Sequence, residues 1–201
     1  MSGRKSAAEW LKSILRRVFG GGDEHWVRHV MNQTTAKWIG ELDTPSMDVL
    51  EISGRGWRKL PCKSYRSADY PEFDVCEGIL PERFDLIISE QVFEHLRYPY
   101  RAGRHVYQML KPGGYFLITT PFLIKIHECP IDCTRWTETG MKYFLEECGF
   151  DLAAIRTGSW GNKRCVLANF RKFWGYWGVL HSLRNDPSFP ASVWALARKQ
   201  E

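Results

Sequence analysis

Nowhere in the 201 residues is there an apolar run of the ~20 residues needed for a membrane-spanning helix. The first segment is too interrupted, at Lys12, Arg16 and Arg17, to read as a secretory leader. Paired Cys-x-x-Cys motifs are absent, and the six cysteines stand scattered at 62, 76, 129, 133, 148 and 165. That spacing excludes a zinc ribbon or a disulfide framework and predicts free thiols in a reducing cytoplasm. His127-x-Cys129-x-x-x-Cys133 comes nearest to a metal motif, but it has no evident fourth ligand, so no metal is expected. Phe170 to Trp177 is dense in aromatics and carries Arg171 and Lys172, but no lysine–arginine cluster of nucleic-acid type appears, which argues against a nucleic-acid partner. Internal repeats and low-complexity tracts are also missing, which excludes a solenoid.

What remains is a globular chain long enough to bury a full core. Its net charge of +5 suits an anionic small molecule or an anionic surface without demanding either. Nine tryptophans and eleven phenylalanines point to an aromatic core or an aromatic-walled pocket. Residues 1–22 form a unit of their own, in which Trp10, Leu11, Ile14, Leu15, Val18 and Phe19 share one helical face and Gly20-Gly-Gly22 follows as a hinge. The basic helix over 7–19 is expected to pack on the domain or on a second subunit; the other reading places it in a membrane interface. Residues 23–201 form the main domain.

That domain is organised around Met47-Asp-Val-Leu-Glu51-Ile-Ser53-Gly54-Arg55-Gly56-Trp57. A short apolar run ending at glycines reads as a buried strand and a turn where a ligand can approach bare backbone. The dinucleotide fingerprint would need glycine or alanine where Lys59 stands, which disfavours an NAD-type oxidoreductase. Residues 64–69 read as a second strand closing on Asp69, and 85–89 as a central strand buried on both faces. A helix over 98–110 stops at Lys111-Pro-Gly-Gly114, and a strand over 115–120 follows.

With Phe84-Asp-Leu-Ile-Ile-Ser-Glu-Gln-Val-Phe-Glu-His95-Leu96, then Leu110-Lys-Pro-Gly-Gly114 and Thr120-Pro-Phe122, the chain resembles the class I S-adenosylmethionine-dependent methyltransferases, in their small-molecule branch. The likeness spans roughly 48–150. It implies a Rossmann-like α/β fold: a mostly parallel seven-stranded sheet with an antiparallel edge strand and helices on both faces. It also implies S-adenosylmethionine as cofactor, held by Glu51, Ser53, Gly54, Gly56, Asp69, Asp74, Ser89, Glu90 and Gln91. Asp69 would accept from the ribose hydroxyls, and Asp74 and Glu77 both remain candidates for the adenine side. The interval from 69 to 85 is too short for a crossover helix and is expected to be a loop.

The polar, proline-broken stretch 121–137 leaves the sheet at the cofactor rim. His127 is the candidate base, since histidine titrates near neutral pH. Arg135 could grip a charged substituent, with pairing to Asp132 or Glu128 as the plainer reading, and Trp136 and Trp160 could wall the acceptor, with core packing as the plainer reading of each. The reaction expected is methyl transfer to a small molecule, oxygen favoured over nitrogen, with a sugar, glycan precursor or natural product in view. A non-catalytic protein that keeps the fold is the rival, and an oligomer is compatible with either.

Overall fold

The computed structural model describes residues 21–200. The basic helix expected over 7–19 lies outside them. Gly21 and Gly22, read as part of a hinge, belong instead to β1 (Gly21–His25), which leads into α1 (Trp26–Gly40). There follow β2 (Asp48–Ile52), β3 (Ser64–Ala68), β4 (Phe84–Glu90), α2 (Pro99–Met109), β5 (Leu110–Pro121) and α3 (Glu138–Glu147). The chain continues as β6 (Ile155–Trp160), α4 (Lys163–Arg171), β7 (Gly175–Trp177) and β8 (Ser192–Arg198).

Six strands form the main sheet in the order β3-β2-β4-β5-β8-β6, while β1 and β7 pair in a separate antiparallel ribbon. Strands β3, β2, β4 and β5 run parallel, and β8 runs antiparallel between β5 and β6. The antiparallel strand thus lies one place in from the edge. As expected from its length, the connection from β3 to β4 carries no helix.

Alternation along the strands decides which layer each side chain joins. Leu50, Ile52, Ile87, Phe116, Ile118, Val193, Ala195 and Ala197 enter one core with Val106 and Met109 of α2 and Met141, Phe144 and Leu145 of α3. Val49, Leu86, Ile88, Leu117, Trp194 and Leu196 point the other way, onto Trp26, Met31, Trp38 and Ile39 of α1 and Cys165 and Val166 of α4. Because β4 is covered on both faces, its residues read as an unbroken apolar run. Helices α2 and α3 meet closely at Gly103, where a Cβ would stand 2.3 Å from Cys148 Sγ. Among the described residues no helix is long and apolar enough to cross a membrane.

The end of the sheet where the parallel strands begin is clamped by Lys111. Its Nζ donates to Asp48 Oδ2 and Asp85 Oδ2, both at 2.7 Å, and the Asp48 N–H donates to the same Asp85 oxygen at 2.8 Å. The bond from Lys111, followed by that from Ser64, holds Asp48 well below the ordinary carboxylate range. A carboxyl depressed in the fold stabilises above its unfolded value near ~4 and loses that contribution as pH falls through its folded value. Lys111→Met is therefore expected to lower the melting temperature by a few degrees at pH 7. The gap to wild type should narrow once the pH drops below ~4. Thermal scans across pH check both, and a gap unchanged at low pH would contradict the clamp.

Candidate functional site

The carboxyl ends of β2, β4 and β5 lie side by side, with Ile52 opposite Ser89 and Ser89 opposite Ile118. Next to Ile52, the Glu51 side chain folds under the turn that follows. Its carboxylate accepts from Gly56 N (2.9 Å), Trp57 N (3.0 Å) and Tyr65 Oη (2.6 Å), and the residue is 2% exposed. Burial, then the bond to Glu51, pushes the Tyr65 hydroxyl's pKa up. Glu51, expected to face a cofactor, instead shapes the turn. Gly54 has a corresponding reason to be glycine, since a Cβ there would stand 2.6 Å from Glu51 Oε1. Ser53 takes a left-handed backbone conformation (φ 53°), and Ser67 Oγ donates to the Gly54 carbonyl at 2.7 Å.

The other rim residues divide. Asp69 directly follows β3 with its side chain 35% exposed; Arg55 bonds its Oδ2 at 3.3 Å, and Ser67 Oγ lies 3.1 Å from the same oxygen. Asp74 caps a turn through Cys76 N, and Glu77 pairs with Arg101. Ser89 is buried, and its Oγ has no hydrogen-bond partner among the described residues. Glu90 accepts from Trp57 Nε1 at 3.1 Å, which brings the glycine turn onto β4. Gln91 has φ 58°, and its amide donates to Thr119 Oγ1 at 3.3 Å.

The loop after β5 folds back onto the turn after β4. The Glu94 carbonyl accepts from Cys133 N (2.7 Å) and Thr134 N (3.2 Å). His127 N donates to Asp132 Oδ2 at 2.9 Å, and the Asp132 carboxylate is gripped by both guanidinium arms of Arg135. Arg135 is thus engaged as the plainer reading had it, and its charge is matched within the loop. Trp136 is buried in the core against Phe144, at 5.0 Å between ring centroids, rather than lining an acceptor site. Trp160 is likewise buried, its Nε1 donating to the Leu183 carbonyl.

His127 stacks on His95 with centroids 5.0 Å apart, and His95 Nε2 lies 3.6 Å from Glu94 Oε1. Glu94 is fully buried, and burial raises its pKa to about 7. Burial also lowers the His127 pKa. Sequence reading gave the Glu94–His95 pair no site role, because a capping or packing histidine is the plainer reading of His95. The one available signal was the carboxylate itself, among residues bound for the core. Phe173 then covers His127, with centroids 5.7 Å apart, and also stacks on His25.

A family model described as a methyltransferase domain matches residues 19–154. No curated protein sequence matches significantly. Solved structures do, and one is an S-adenosylmethionine-dependent methyltransferase from Archaeoglobus fulgidus: TM-score 0.57, 15% identity, 94% of this chain and 99% of that one. Another comes from the Haloferax volcanii complex of the Trm112 methyltransferase activator with a methyltransferase: TM-score 0.55, 14% identity, 98% of each chain. A third is Haemonchus contortus phosphoethanolamine N-methyltransferase 2 with S-adenosyl-L-methionine: TM-score 0.57, 14% identity, 99% of this chain and 61% of that one.

The inverted carboxylate can be weighed directly. Glu51→Ala leaves two amides and a phenol without their acceptor and is expected to cost about 3 kcal/mol in urea unfolding, with Tyr65→Phe costing about 1.5 kcal/mol. A loss below ~1 kcal/mol for Glu51→Ala would mean that the turn finds other acceptors.

Proposed function

Because the chain belongs to the class I S-adenosylmethionine-dependent methyltransferases, we propose that it methylates a small-molecule acceptor, at oxygen in preference to nitrogen. Its cofactor, S-adenosylmethionine, supplies an electrophilic methyl carried on a sulfonium. The rim residues fit such a ligand. Asp69 is partly exposed, and both its contacts fall on Oδ2, so Oδ1 has no partner among the described residues and can accept from a ribose hydroxyl. Ser89, which pairs with Ile52 at these strand ends, has a buried Oγ without a hydrogen-bond partner among the described residues. Ser53, Gly54 and Gly56 present backbone rather than bulk, while Glu90 and Gln91 close the rim from β4.

The single observation that carries the oxygen preference is the His127–His95–Glu94 cluster, brought to the rim by the loop from β5. A hydroxyl must lose its proton as it is methylated, and His127 is the residue on which that loss depends. An amine acceptor that is already neutral needs no such cluster. The rest of the rate comes from alignment: an in-line displacement is favoured by holding nucleophile and methyl together away from water. Asp132 and Arg135 fix the loop so that His127 keeps its place.

Two outcomes test the reading. Asp69→Ala is expected to weaken S-adenosylhomocysteine binding at least ~10-fold by calorimetry, because bonds to a charged acceptor are the stronger kind. His127→Ala is expected to lower turnover on a hydroxyl acceptor by about 10²–10⁴ while leaving that affinity near wild type. Turnover on amines alone, indifferent to His127, would overturn the oxygen assignment.

A further inference from the structure

We propose that Glu94, His95 and His127 bind one first-row divalent transition-metal ion. Each offers one ligand atom, and the three atoms lie within 4.8 Å of one another. Two ligands ~2.1 Å from a shared ion stand at most about 4.2 Å apart, so a small closure brings all three onto a single centre. The residues come from two separate segments, the turn after β4 and the loop after β5, and the backbone bonds from Cys133 and Thr134 to the Glu94 carbonyl hold those segments together.

Glu94 is the independent sign of a missing partner. It is 0% exposed, and neither carboxylate oxygen has a hydrogen-bond partner among the described residues. A buried carboxyl without partners is costly to ionise, and a cation within reach removes that cost. Arg28 and Arg135 act on it only through space, and Arg135 spends its fork on Asp132.

The two imidazoles are set as ligands before any ion arrives. His95 Nδ1 bonds the Ile131 carbonyl at 2.5 Å, which fixes the proton there and leaves Nε2, the atom 3.6 Å from Glu94 Oε1, with a free lone pair. An outer hydrogen bond of this kind orients metal-binding histidines. His127 Nδ1 is buried without a hydrogen-bond partner among the described residues, though it lies 3.6 Å from Asp132 Oδ2, and the bond from its backbone N–H to the same carboxylate holds the residue in place. One carboxylate and two imidazoles select zinc, manganese, iron or cobalt over magnesium or calcium, which favour all-oxygen sites. Three protein ligands leave a position open.

The inference rests on the methyltransferase reading for its use, and it specifies how His127 acts. A hydroxyl bound at the open position becomes more acidic and releases its proton to water. The oxygen then forms its bond to the methyl carbon as the carbon–sulfur bond breaks, and the electron pair stays on sulfur. No oxidant or reductant is consumed.

The test uses the full chain, stripped with a chelator. Cobalt(II) is followed by visible absorbance and zinc(II) by calorimetry, beside an S-adenosylhomocysteine titration of the same sample. One equivalent of each metal is expected, with affinity at least ~10-fold weaker in Glu94→Gln, His95→Gln and His127→Ala. The nucleoside titration shows which variants are folded. Failure to take up either metal while S-adenosylhomocysteine still binds would overturn the site and leave the family reading standing. A sulfur-to-cobalt charge-transfer band would put the ion on Cys129 or Cys133 and would also overturn it. Metal uptake lost in the variants, in a chain indifferent to S-adenosylhomocysteine, would support the site and remove the methyltransferase reading instead.

Discussion

A carboxylate at the end of a strand, turned in beneath its own loop, sets the geometry from which the rim follows. Glu51 gathers two amides of the turn and the phenol of β3, so three charge-assisted bonds offset its burial. The turn is consequently held to both β2 and β3. Trp57, the residue donating the second amide, reaches across to Glu90 at the end of β4 and extends the same network over a third strand. Glycine at 54 is a consequence of that inward carboxylate before it is a concession to any ligand.

At the opposite end of the parallel strands a lysine does for β2, β4 and β5 what Glu51 does at the rim. Between the two polar ends the strands are apolar on both faces, and each face has its own helices. A rim can tolerate strained or unpaired groups, such as Ser53, Gln91 and the Ser89 hydroxyl, only because the middle of the sheet is packed on both sides.

Much of this was legible in the residues. The apolar runs at 49–52 and 85–89, the glycine turn and the Lys-Pro-Gly-Gly stop all act locally and fall where periodicity and turn chemistry put them. What could not be read depends on distant partners. Nothing in Glu-x-Ser-Gly-x-Gly announces that Tyr65 will bond the glutamate, or that Asp132 will occupy Arg135. Trp136 was a candidate pocket wall because its loop is polar, but core packing was the plainer reading, and the helix that follows turns it into the core. The ribbon of β1 and β7 was missed because glycine-rich and three-residue strands lack the alternation that marks a strand in sequence.

The place of β8 has a bearing on how the chain is made. It lies between β5 and β6, and among the described residues β6 has no neighbour in the main sheet except β8. During synthesis the backbone edge of β5 therefore stays unpaired while the loop, two helices and β6 emerge. It closes only when residues 192–198 are available. Open edges of apolar strands are templates for wrong pairing, and nascent chains meet that hazard as they emerge. The residues beyond the family match at 154 are thus what turns a nascent half-sheet into one with its core sealed on both sides.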